Sequence, residues 1–302
     1  MKTLFFGTSD FAVPALRVTA QRTDLRGVVT QPDRPAGRGH KLRPTPVKAA
    51  ALELGLPVFE PASLRTFAQE RSGESYDLFV LASYGKILPQ VLLDMPKLGA
   101  LNVHPSLLPK YRGATPIQNA LLRGDQETGV TIMLMDAGMD TGEIVLQERT
   151  PIAPDERYGE LHDRLAAFGA QALSHALDLA RSGHIPHYPQ SGKVSVTRPL
   201  RKEDLMVDWN WPAQRIVNAV RAFAPAPAAR AQLGNAPVKL LRASTGTASI
   251  APAAPGTIVS TSGQAAAVRC GDGTVEVIEL VPPNRGPQSG ATFARSLSES
   301  TR

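Results

Sequence analysis

Through the first half of the chain, short apolar runs alternate with amphipathic stretches. Leu4–Phe6, Leu25–Thr30, Val58–Phe59, Asp77–Leu81 and Ala100–Val103 read as strands. Phe11–Ala20, Val47–Leu54, Ser63–Glu70 and Leu88–Leu93, lying between them, carry apolar residues at helical spacing. Strands alternating with helices predict a doubly wound, mainly parallel sheet, whose ligands sit beyond the carboxyl ends of the strands. Thr115 and Pro116 start a further helix, as cap and first helical residue. Thr128–Met135 and Glu143–Glu148 are β-rich and flank an Asp136–Gly142 loop, expected at the same rim as the loop after Val103. Arg157–Arg181 is the longest helix, with Leu161, Leu165, Phe168, Ala172, Leu173, Ala176 and Leu177 on one stripe.

The pattern changes after Gly183. Residues up to about Asp204 are polar and proline-punctuated, which predicts a bridge with a short hairpin near Lys193–Thr197. Helix Pro212–Phe223 follows. Short strands at Val238–Leu241, Gly256–Ser260, Ala265–Arg269 and Thr274–Leu280 then alternate with Gly/Pro turns, the pattern of a small β-barrel. The expected division is a first domain over residues 1–183, a linker over 184–206 and a second domain over 207–302.

Candidate chemistry centres on Leu101–Gly113. Asn102 and His104 are two apart in a strand, so both point from one face. Pro105 and Pro109 then turn the chain out as a loop. An amide donor beside an imidazole suits a developing oxyanion; taken alone, the stretch fits equally a buried Asn and His satisfied by backbone. Asp140 supplies a carboxylate that can orient the imidazole, or is simply a turn residue before Thr141-Gly142. No Ser or Cys occupies a nucleophile elbow, and the histidines do not fall at zinc spacing. The set fits direct transfer between two bound substrates. At Gly7-Thr8-Ser9-Asp10, where Ser9 or Asp10 can cap the next helix, a single glycine stands where a dinucleotide fingerprint needs three. There is no phosphate-loop GKS or GKT, so NAD and ATP sites are both discounted.

Charge adds a second partner. The segment Gln31–Lys48 holds Arg34, Arg38, Lys41, Arg43 and Lys48 against one acid, Asp33, among glycines and prolines. A long basic loop of this kind suits phosphate contact, with a solvated loop as the plain alternative. The whole chain carries a formal charge of +6 with a pI near 9.6, and Val207–Arg302 holds nine Arg/Lys against five Asp/Glu. That balance favours a polyanion. The lone Cys270 excludes a disulfide framework or a Cys-based zinc site and fits a reducing cytoplasm. The start, Met1–Phe6, turns polar too soon for a signal peptide, and no later run is long enough to span a membrane.

Asn102-Val103-His104-Pro105-Ser106-Leu107-Leu108-Pro109, then Tyr111-Arg112-Gly113 and Asp140-Thr141-Gly142, resembles the folate-dependent formyltransferases. Ser83–Pro89, Glu127–Met133 and Val238–Leu241 extend the likeness in order along nearly the whole chain. Gln31–Gly39 through Pro46-Val47-Lys48 looks like the basic insertion of those members that act on a tRNA. The resemblance implies a Rossmann-like domain followed by an OB-like, tRNA-binding barrel. It implies 10-formyltetrahydrofolate as formyl donor and the amino group of initiator methionyl-tRNA as acceptor, with no metal, in a cytoplasmic monomer. Carried over by position, Asn102, His104 and Asp140 are catalytic and Ser106, Leu107, Leu108 and Pro109 line the folate site. Arg34, Arg38, Lys41 and Arg43 meet the tRNA. Where relatives carry bulky residues after the first helix of the second domain, this chain has Phe223-Ala224-Pro225-Ala226-Pro227-Ala228-Ala229. The alternatives are a formyltransferase for a small amine (an amino sugar or glycinamide ribonucleotide) and a non-catalytic RNA-binding protein.

Overall fold

A computed structural model describes residues 1–36, 41–246 and 252–300. The chain packs into two compact units. The first comprises Met1–Pro116, Glu127–Pro151 and His162–Thr197; the second Ile117–Gln126, Ile152–Leu161 and Arg198–Arg302.

The first unit is built on a seven-stranded sheet. Its strands are β1 (Lys2–Gly7), β2 (Asp24–Val29), β3 (Val58–Phe59), β4 (Leu78–Ala82), β5 (Ala100–His104), β6 (Glu127–Leu134) and β7 (Ile144–Pro151). Their order is β7-β6-β5-β4-β1-β2-β3, with β1 to β5 parallel and β6 antiparallel to both neighbours. The order reverses between β1 and β4, the switch point where such sheets open a crevice. Both faces are covered, which is why the central strands read as unbroken apolar runs. Leu4, Phe6, Phe79, Leu81, Tyr84 and Ala100 share one core cluster with Leu64, Phe67 and Leu92 from the helices. On β5, Leu101 and Val103 are also buried. The helix Tyr158–Ala180 approaches them so closely at Gly169 that a Cβ there would stand 2.8 Å from Val103 Cγ1.

The antiparallel pairing of β6 corrects one expectation. Leu134 lies opposite Leu101 and Thr131 opposite His104, so β6 ends beside the beginning of β5. The Asp136–Gly142 loop therefore leaves from the other end of the sheet and doubles back. The predicted helix start is also different. Asp10–Ala12 is a 3-10 turn and the α-helix covers Val13–Arg22; Ser9 makes no side-chain cap, its hydroxyl bonding Ser83 instead. In the basic loop, Arg34–Ala36 and Lys41–Arg43 pair as a short antiparallel ladder, Arg34 opposite Arg43. At the loop's base, Lys48 bridges Asp33 at 2.9 Å and Glu60 at 2.8 Å, and both carboxylates hold its pKa above the ordinary value. Lys48 is thus spent within the protein. The Lys193–Thr197 stretch forms no hairpin: Val196–Thr197 pairs in parallel with Arg112–Gly113.

The second unit carries an antiparallel sheet, in the order Ala229–Leu233, Ala236–Thr245, Thr274–Val281, Ala265–Arg269, Ile258–Ser262. Helix Ala213–Phe223 lays Ile216, Val220 and Phe223 into its core. The small side chains of Ala224, Ala228 and Ala229 are buried while Pro225–Pro227 is exposed. Cys270 is fully buried.

Candidate active site

Strand β5 delivers Asn102 and His104 to one face, as their spacing requires. The imidazole of His104 is buried, at 4% exposure. Its Nε2 lies 3.0 Å from the Tyr111 carbonyl oxygen. A carbonyl only accepts, so the ring's hydrogen sits on Nε2 and a neutral ring leaves Nδ1 bare. Nδ1 faces Asp140 Oδ2 at 3.6 Å. Burial pushes the His104 pKa below its ordinary value, opposed by the Asp140 carboxylate and then by the Tyr111 carbonyl. Burial prevails because a charged ring loses its water at full cost here. The result is a neutral imidazole whose free lone pair points toward a carboxylate.

Both partners of His104 sit on unusual backbone. Tyr111 has φ 59° and Asp140 φ 54°, in the left-handed region where a side chain other than glycine costs about 1–2 kcal/mol. Conformations of this kind persist where surrounding bonds hold them. For Asp140 those bonds are explicit. Its Oδ2 accepts from the Gly113 N–H at 2.7 Å, and its carbonyl accepts from Gln190 Nε2 at 2.9 Å. Gly113 itself has φ 102°, and a Cβ there would run into the Thr197 carbonyl. Asn102 is half-buried, and among the described residues its amide has no hydrogen-bond partner. Its donor is therefore available.

The loop from Pro105 to Lys110 is held from beneath. Thr131, fully buried on β6, donates to the Ser106 carbonyl at 2.7 Å and accepts from the Leu108 N–H at 3.2 Å. Gln147 on β7 donates to the Leu108 carbonyl at 2.9 Å. The Ser106 hydroxyl is spent on the Lys110 carbonyl at 2.6 Å. Among the four residues expected at the folate site, Leu107 keeps accessible surface, whereas Ser106, Leu108 and Pro109 are buried. At the switch point, the Gln31 amide and the Thr8 hydroxyl both donate to the Tyr84 carbonyl, at 3.1 and 2.9 Å. Of the residues expected to meet tRNA, Arg34 and Lys41 lie in the paired strands and Arg43 is exposed; Arg38 lies outside the described residues.

Gln190, Ser195 and Thr197, which support Tyr111–Thr115 and Asp140, fall in the stretch read from sequence as a bridge. Their pattern offered no period to detect. Thr131 did leave a signal, as a lone polar residue inside the apolar run Val130–Met133.

The formyl transferase family model matches residues 1–177, and the model of the formyl transferase C-terminal domain matches residues 199–298. A methionyl-tRNA formyltransferase of Thiobacillus denitrificans is 44% identical over 307 residues, covering 100% of this chain and 99% of its own. That of Xanthomonas euvesicatoria is 46% identical, covering 92% and 91%. Among solved structures, an N-formyltransferase from Helicobacter canadensis, in complex with folinic acid and dTDP-3-aminofucose, superposes with a TM-score of 0.67. It shares 17% identity, covering 92% of this chain and 98% of that one, and so speaks to the fold. A free amide and a buried neutral imidazole on one strand, faced by a restrained aspartate, thus occur in a chain matched by its relatives from end to end: the protein belongs to the formyl transferase family.

Proposed function

We propose that this protein transfers the formyl group of 10-formyltetrahydrofolate to the α-amino group of methionine on initiator tRNA. The observation that carries the reading is the Asn102–His104–Asp140 arrangement, set in a chain similar over its full length to methionyl-tRNA formyltransferases. The amine lone pair adds to the formyl carbon, and the carbonyl π pair moves onto oxygen. Asn102, whose amide is otherwise unengaged, donates to that oxyanion. His104 Nδ1, bare and beside Asp140, takes the amine proton; Asp140 stabilises the imidazolium that results, which then donates to the oxyanion. Collapse of the intermediate breaks the bond from the formyl carbon to the folate nitrogen, and the proton passes to that nitrogen. Leu107 and its loop neighbours face the folate, with Thr131 and Gln147 fixing the loop.

In this reading residues 1–183 form the catalytic domain and 207–302 an OB-like tRNA-binding domain. Residues 184–206 run between them, their first part bonded to the catalytic loops. Arg34, Arg38, Lys41 and Arg43 meet the acceptor stem. The enzyme works as a cytoplasmic monomer, away from membranes. The test is formyl transfer from 10-formyltetrahydrofolate to initiator and elongator Met-tRNA at low and raised salt. Initiator preference and steep salt sensitivity are expected. Equal formylation of free methionine or an amino sugar, without salt sensitivity, refutes the tRNA assignment.

A further inference from the structure

The side chain of Gln190 is used completely. Its Oε1 accepts from Arg112 Nε at 3.1 Å and Nη2 at 2.7 Å. Its Nε2 donates to the Asp140 carbonyl at 2.9 Å and the Gly142 carbonyl at 2.7 Å. A guanidinium has no acceptor and a carbonyl no donor, so the amide has one orientation only. Its two hydrogens bracket Thr141 and pin the turn that holds Asp140 in its left-handed conformation. Oδ2 of Asp140 is in turn held by Gly113, the residue after Arg112. One amide thus ties the Asp140 loop to the loop that follows His104.

We infer that Gln190 is a positioning residue for proton transfer: by holding the backbone of Asp140 it sets the distance between that carboxylate and His104. The inference rests on the assignment of His104 and Asp140 proposed above. Gln190→Met keeps the length of the side chain and removes both donors and the acceptor. In the transfer assay its kcat falls about tenfold to 10²-fold, the scale of a misplacement of about 1 Å, with KM for both substrates within about twofold. Because Asp140 raises the His104 pKa, a displaced carboxylate raises it less, and the acid limb of the kcat profile moves to lower pH. In an Asp140→Asn background the same substitution adds less than about twofold, since its action passes through Asp140. An unmoved pH limb, a pure KM effect or full multiplicative losses in the double variant overturns the inference. If Gln190→Met shows no cooperative melt, Gln190→Glu serves. It still accepts from Arg112 but sets an oxygen against the two carbonyls, and wild-type kcat in that variant overturns the inference equally. Asp140→Asn separates the two levels. Should it be fully active, the site assignment fails and this inference with it; should it be impaired while Gln190→Met is not, only the role of Gln190 fails.

Discussion

Nδ1 of His104 lies 3.6 Å from Oδ2 of Asp140, beyond hydrogen-bond length, while Nε2 is committed to the Tyr111 carbonyl at 3.0 Å. Two acceptors therefore face each other across a short gap. In the proposed mechanism this gap receives the amine proton.

The pH dependence follows from the sign of the His104 shift. Its folded pKa lies below the ordinary 6.5 because of burial, so the neutral form that the proposed mechanism requires is lost only at acid pH. The acid limb of kcat/KM for the wild type is expected below pH 6.5, moving lower still in Asp140→Asn. Stability has the same sense: the unfolded chain binds the proton more readily, so this contribution is complete above 6.5 and is lost as pH falls. The difference in melting temperature between wild type and His104→Gln should change with pH on the acid side only, across pH 5–8.

Replacing Asn102 by Ala removes the uncharged donor proposed for the oxyanion. Turnover is expected to fall about 10²- to 10³-fold, with tRNA affinity by filter binding near wild type. Retained turnover would remove Asn102 from the chemistry.

Thr131→Val deletes a hydroxyl that serves Ser106, Leu108 and Gln147 at a fully buried position. A destabilisation of about 1–3 kcal/mol is expected, measured by denaturant titration, together with a raised KM for the folate because the Leu107–Pro109 loop loses its anchor.

Lys48→Met frees the base of the basic loop from Asp33 and Glu60. As both ion pairs lie near the surface, the melting temperature should change little. KM for initiator tRNA should rise severalfold while folate binding, followed by fluorescence, is unchanged. A parallel rise in both would place Lys48 in general packing.

The local pattern was enough to place the parallel strands, the long helix and the two-apart geometry of Asn102 and His104, because side-chain period and apolar runs are properties of neighbouring residues. Motif likeness carried Asp140 into the same site. Tertiary structure alone decided the direction of β6, which sends the Asp140 loop back from the far end of the sheet. It alone assigned Lys48 to a clasp and Ser106 to the interior of its loop. It alone joined Gln190, Ser195 and Thr197 to loops that precede them by 48 to 85 positions in sequence. Hydrogen bonds between irregular segments leave no periodic trace, since they follow from where the packed sheet and helices bring the backbone. Composition and local pattern supply the chemical groups; packing buries His104, keeps it neutral and faces it with a restrained carboxylate.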